Sequence, residues 1–199
     1  MQEKTDRRIL RTRHQLRDVL LDLAMQMPLE SITVKILTEH AGLNRGTFYL
    51  HYQDIHDFHE QLKNDILEEF HAMIKKLSHP IGSHQSIMDP PSGYVRPFEY
   101  VLEQKRFFQV FMGSTGDNVF SLQLTELLKK QFLHAYLLQH KQIKLSDVPD
   151  KQYYLFAYLA SAYVGTMQFW IQQDFQLLPT EMAILFSQIS RLGSAHVRF

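Results

Sequence analysis

An all-α chain is what this sequence predicts: a three-helix N-terminal module, a long helix leading out of it, and a larger C-terminal helical bundle, about nine helices in all. Three observations lead there. Apolar residues recur three and four positions apart through most of the 199 residues, which is the spacing of one helix face. No strand-like alternation of useful length occurs. Proline, glycine and capping residues fall largely between the periodic segments. With 45% hydrophobic and 21% charged residues, a core of ordinary size is within reach.

The elements follow in order. Leu16, Val19, Leu20, Leu23, Ala24 and Met27 share one helix face, and Pro28 closes it, because a residue before proline avoids the helical region. Thr33 is placed to cap a short helix through Ala41, and Gly42 can take the positive φ of a tight turn. Asn44 caps a second short helix to about Tyr52. Asp54 caps a long one with Phe58, Leu62, Ile66, Phe70, Met73 and Leu77 along one side. Residues 78–93 are rich in proline, glycine and serine and read as a loop. Residues 94–112 read as one helix with Pro97 in its first turn, GSTGD at 113–117 as a break, 118–140 as a helix and 141–150 as a polar connection. Phe156, Leu159, Ala160, Tyr163, Val164, Met167 and Ile171 mark a long helix. Pro179 opens the last one, which carries Met182, Leu185, Ile189 and Leu192. The spacing sets a small N-terminal module, up to about residue 55, apart from a larger helical body, and the helix starting at Asp54 joins them.

Residues 33–52, TVKILTEHAGLNRGTFYLHY, carry the chemistry. Val34, Leu37 and Ala41 face inward from the first short helix, and Phe48 and Tyr52 from the second. Arg45, Gly46, Thr47 and Tyr49 then point away. Two short helices joined by a glycine turn are a helix-turn-helix, whose second helix enters the DNA major groove by its N-terminal end. The residue types suit that task. Gly46 lets backbone approach a duplex. Thr47 offers a hydroxyl to phosphate and a methyl to thymine, and Arg45 can reach a phosphate or a guanine edge. Tyr49 can donate its hydroxyl to a phosphate, as can the free N–H groups after Thr33 and Asn44. Residues 1–20 hold six Lys or Arg against three Asp or Glu, a net +3 beside this helix, in a chain whose formal charge is zero. The neutral total argues against a whole surface built for non-specific binding.

The run Thr33, Ala41, Gly42, Gly46, Thr47, Phe48, Tyr49, His51 and Tyr52 resembles the N-terminal domain of the TetR (tetracycline-repressor-like) transcriptional regulators over residues 6–65. The stretches FEYVLEQKRFFQVFM and YVGTMQFWIQQDFQLLPTEMA resemble, more loosely, a C-terminal domain type common among Firmicutes members. The resemblance implies a homodimer that binds a double-stranded DNA operator of two-fold character, with contacts from Thr33, Arg45, Thr47, Tyr49 and His51. Many members hold a phosphate with a lysine at the start of the fourth helix. Here Ile55 stands there and His56 follows, which would take over the contact. The full candidate set adds Lys35, Asn44, Gly46 and Tyr52, with Arg7, Arg8 and Arg11 of the arm.

In the C-terminal part, Phe70, Met73, Phe98, Phe107, Phe111, Phe132, Tyr136, Tyr163 and Met167 fit either a packed core or an apolar pocket for a small effector of unknown identity. Tyr163, Phe169, Trp170, Phe186 and Ile189 of the last two helices are expected at a dimer interface made as a four-helix bundle. Phe175 adds to the same apolar excess.

Other classes are less well supported. There is no cysteine, so disulfides, thiolate metal sites and cysteine nucleophiles are excluded. His56 and His59 share a helix face, with His51 nearby, but a metal site also needs second-shell support and usually a third ligand, so no metal is expected. GSTGD lacks the lysine of a phosphate loop. No nucleophile–base arrangement or carboxylate pair stands out, and neither an enzyme nor a cofactor is expected. The N-terminus has no signal-peptide core and no run of about 18 apolar residues occurs, so a cytoplasmic protein off the membrane is expected. The reading is a DNA-binding repressor released by a small ligand. The alternatives are a regulator whose C-terminal domain binds a partner protein, and an enzyme on a helical scaffold.

Overall fold

The computed structural model describes residues 2–75, 92–113 and 118–195. Over them the chain forms nine α-helices and two short 3-10 turns and no strand. It divides into two compact units, Met1–Ile66 and Leu67–Phe199.

The first unit holds α1 (Gln2–Ala24), α2 (Val34–His40), α3 (Arg45–Tyr49) and the first part of α4 (Ile55–Ile74). Leu16, Leu20, Leu37 and Phe48 are completely buried, with Ile32 and Phe58 nearly so. Each such side chain contributes about 1.5–3 kcal/mol by leaving water, which is what holds helices too short to persist alone. The face predicted for α1 is present, but the helix ends at Ala24, so Met27 lies in the turn before Pro28.

Residues 67–74 of α4 belong to the second unit, with α5 (Ser92–Glu103), α6 (Lys105–Met112), α7 (Asn118–Gln139), α8 (Asp150–Gln172) and α9 (Pro179–Ala195). There α7 runs antiparallel to α8: Gln168 Nε2 donates to Ser121 Oγ at 2.9 Å at one end, and Tyr136 meets Phe156 at 5.7 Å at the other. Helix α5 packs on α9, and α6 packs on both α7 and α8. The end of α4 is tied in by polar contacts: Tyr100 Oη donates to Glu69 Oε2 at 2.8 Å, and Gln131 Nε2 to the Ile74 carbonyl at 3.1 Å.

Several expectations are revised. Residues 94–112 are not one helix. Gln104, at φ −97° and ψ 25°, divides them, although Gln104 N–H still bonds to the Tyr100 carbonyl at 2.9 Å. Pro97 sits in the second turn of α5, not the first. Ser92 and Gly93, expected in a loop, begin that helix, while the rest of the predicted loop, with Leu77, lies outside the described residues. The break at 113–117 begins as expected with a bend at Gly113, and its other residues lie outside them. On α4 the buried series is Phe58, Leu62, Ile66, Phe70 and Ile74, an unbroken four-residue spacing that leaves Met73 half-buried.

The aromatic side chains of the second unit pack on one another. Phe98, Tyr163, Trp170 and Phe186 form one cluster, with Tyr163 and Phe186 centroids 4.4 Å apart. Phe107, Phe108, Phe111 and Phe120 form another, with Phe107 stacked on Phe111 at 4.6 Å. Of the residues predicted to line one pocket, Phe98 and Tyr163 lie in the first cluster, Phe107 and Phe111 in the second, Tyr136 meets Phe156, and Met167 is fully buried. Trp170, Tyr163 and Phe186 are interior residues of the protomer and are removed from the expected interface. Trp170 falls seven positions after Tyr163, on the same buried face. Its Nε1 donates to the Leu177 carbonyl at 3.0 Å and its ring meets Phe175 at 5.0 Å. Phe169 is 62% exposed and Ile189 half-buried, so these two remain on the outside.

Candidate nucleic-acid interface

Helices α2 and α3 are built by their caps. Thr33 Oγ1 accepts from Ile36 N–H at 3.3 Å, and Asn44 Oδ1 from Gly46 N–H at 2.8 Å. Both side chains satisfy amides that a helix start leaves open. Between them Gly42 stands at φ +62°, a conformation that costs an L side chain about 1–2 kcal/mol. Leu43 N–H returns to the Thr38 carbonyl at 2.9 Å and closes the turn. The second helix is shorter than predicted, Arg45–Tyr49 with Leu50 as its C-cap, so His51 and Tyr52 follow it in the turn.

One aromatic group fixes α3 from within. Phe48 meets Tyr52 at 5.3 Å, Phe58 at 5.9 Å and Tyr49 edge-on at 5.5 Å, and Tyr52 meets Phe58 at 4.6 Å. Arg45, Gly46 and Tyr49 lie on the outside, with Tyr49 57% exposed, and Thr47 is half-exposed. Thr33 and Lys35 are exposed on α2, where Lys35 Nζ stands 4.0 Å from Glu39 Oε1. Arg7, Arg8 and Arg11 are exposed on α1.

Tyr52, expected among the contact residues, is instead only 4% exposed and serves the interior of the unit. Its hydroxyl receives Arg13 Nε at 3.2 Å. Burial raises its pKa, only partly offset by Arg13. His51 is half-buried, and burial, then the charge of Arg13, lowers its pKa. His56 is exposed in the first turn of α4 beside the carboxylates that cap it. Asp54 Oδ1 accepts from Asp57 N–H at 2.8 Å, and Asp57 Oδ2 from Gln53 N–H at 2.8 Å. Hydrogen bonds from Gln61 and Gln53 hold Asp57 below the usual carboxylate range.

Sequence reasoning missed two residues. Leu50 is 79% exposed beside Tyr49; it stands two positions from each of the inward Phe48 and Tyr52, so the spacing could have found it. Arg13 turns inward to partners 39 and 52 residues away, for which no local signal exists. Among the described residues no group of three or more His, Cys, Asp or Glu converges on a metal position, and no helix is long and apolar enough to cross a membrane.

The outer face of α3 thus gathers a guanidinium, a hydroxyl and a phenol around a helical residue without a side chain. Such donors suit phosphate oxygens and base edges. Known structures share the fold. The "Dihydroxyacetone kinase operon activator DhaS" is 17% identical with a TM-score of 0.60, covering 94% of this chain and 96% of its own. A TetR transcriptional regulator from Streptococcus agalactiae 2603V is 18% identical with a TM-score of 0.59, covering 96% and 99%. The fatty acid degradation regulator FadR from Bacillus halodurans is 14% identical with a TM-score of 0.60, covering 94% and 97%. No curated protein matches the sequence. A family model described as a transcriptional regulator C-terminal region matches residues 89–192, just over half of the chain. On that match, joined to the shared all-helical fold, the chain belongs to the TetR family of transcriptional regulators.

Proposed function

We propose that the chain is a sequence-specific DNA-binding repressor, acting as a homodimer on an operator of two-fold character and released by a small ligand bound in the C-terminal unit. The observation that carries the DNA reading is the division of α3: Phe48 is sealed inside while Arg45, Gly46 and Tyr49 are turned out. A five-residue helix held this firmly has its outer face fixed before any partner arrives. Each such helix would enter one major groove, the two grooves lying about 34–36 Å apart or a multiple of it. Mobility shift against genomic fragments, including the promoter beside its own gene, tests this. A folded dimer that gives no sequence-selective shift at low salt would defeat it.

The dimer reading is supported by α8, where Tyr154, Tyr158 and Phe169 are exposed on one helix stripe. The ligand reading is supported by Gln123, one turn on from Phe120, whose Oε1 is buried without a hydrogen-bond partner among the described residues. A buried orphan acceptor calls for a donor. To weaken DNA binding a hundredfold, a ligand must favour the other state by about 2.7 kcal/mol. Thermal-shift screening of small molecules with hydrogen-bond donors tests it, and a Gln123→Leu variant should lose the response of any hit. The same exposed tyrosines of α8 favour a second reading, in which a partner protein takes the ligand's place. One fold relative is named an activator, so a promoter-reporter assay is needed to separate repression from activation.

A further inference from the structure

Arg13 stands apart from the exposed Arg7, Arg8 and Arg11 of the same helix. Its Nε donates to Tyr52 Oη at 3.2 Å and its Nη2 to Asp65 Oδ2 at 3.0 Å. The guanidinium carbon lies 6.0 Å from the Tyr52 ring centroid. One planar fork therefore joins three elements: α1, the exit from α3, and α4. Two residues on, Gln15 Nε2 donates to the Ala41 carbonyl at 2.6 Å, at the end of α2. Helix α1 thus grips the helix-turn-helix before its turn, at Ala41, and after its reading helix, at Tyr52.

The energies separate orientation from folding. The Arg13 and Asp65 side chains are 36% and 52% exposed. An ion pair that open to water is worth at most about 1 kcal/mol, far less than the buried Phe48. Losing the fork would leave the unit folded, yet it removes a polar tie between α1 and the exit of α3. A contact surface presented by so short a helix depends on such supporting bonds, because small misplacements cost binding steeply.

We propose that Arg13 is a positioning residue: through Tyr52 and Asp65 it sets the pose of α3 against α1 and α4, and it touches no DNA itself. The proposal rests on the DNA-binding reading above. Its test uses the full chain and two probes, the duplex the wild type selects from fragmented genomic DNA and a scrambled duplex of equal length. The variants are Arg13→Met, Arg13→Lys, Tyr52→Phe and the Arg13→Met/Tyr52→Phe double. Tyr52→Phe keeps the packed ring, so it stays informative if an Arg13 variant fails to fold. Each single variant should lose about tenfold in affinity for the selected duplex, and the double should lose no more than either. Binding to the scrambled duplex, and its salt slope, should not change. A salt slope on the scrambled duplex reduced by about one in Arg13→Met would make Arg13 a phosphate contact and overturn the proposal. Wild-type affinity in Arg13→Lys, or additive losses in the double, would overturn it too. Failure of the wild type to select any duplex would instead strike the functional reading, and the proposal with it.

Discussion

The side-chain oxygen of Asn44 accepts a hydrogen bond from the backbone N–H of Gly46 at 2.8 Å, so the cap of the reading helix and its approach residue are bonded to each other. Asn44→Ala should lower stability by about 1 kcal/mol. Asn44→Asp separates the cap from the charge. Aspartate caps as well, so the melting temperature should hold, but its negative charge would face phosphate. Affinity for DNA should fall, and most at low salt. Thermal melts and fluorescence anisotropy on both variants check this.

Gly46 has no steric reason to be glycine within the protein. A Cβ placed there would meet only Asn44 Oδ1, at the ordinary distance of 3.4 Å. In a five-residue helix it costs roughly 1 kcal/mol against alanine. Gly46→Ala should therefore leave the fold equally or more stable while weakening DNA binding. Chemical denaturation and anisotropy on one preparation would show the two effects with opposite signs. Unchanged DNA affinity would mean that no surface approaches there.

Much of this unit was legible because its signals are local. Thr33, Asn44 and Asp54 cap the helices expected of them, Gly42 takes the positive φ, and Phe48 and Tyr52 turn in at helical spacing. What escaped is tertiary. In the sequence the arginines of residues 1–20 count alike toward a net +3, yet Arg13 is engaged by partners brought near only by folding. The break at Gln104 has no proline or glycine to mark it. The interior place of Trp170 is not legible locally, because its partners, Phe98 and Phe175, come from another helix and from the turn beyond its own.

That turn offers a test of the second unit. Helix α8 ends with Phe175 N–H on the Trp170 carbonyl and Asp174 N–H on the Ile171 carbonyl, both at 3.0 Å. This paired closure normally places glycine where Asp174 stands at φ 50°. Gln109 Nε2 donates to Asp174 Oδ1 at 3.2 Å, so Asp174→Gly should raise stability by about 0.5 kcal/mol, less whatever is lost with that bond. Asp174→Val should lower it by more than 1 kcal/mol, since a β-branched residue tolerates the left-handed region worst. Denaturant melts followed by the fluorescence of Trp170 would rank the two.

Tyr158 and Phe169 lie on the outward stripe of α8, 56% and 62% exposed. If that face meets a second copy, Tyr158→Glu and Phe169→Glu should give monomers with little change in helix content, because neither side chain supports the protomer's own core. Sedimentation velocity would read the change in mass. Operator affinity should fall with it, as one reading helix binds where two did. Variants that remain dimeric would move the interface elsewhere.

Guanine N7 methylation protection on the duplex the protein selects bears most directly on the outward face of α3. Two protected patches in the major groove are expected, related by a two-fold axis and centred about one helical turn or a multiple apart. Both should be lost together in Arg45→Ala and weakened in Tyr49→Phe, with melting temperatures unchanged. A bound duplex whose major-groove guanines stay fully reactive, or whose protection survives both substitutions, would contradict it.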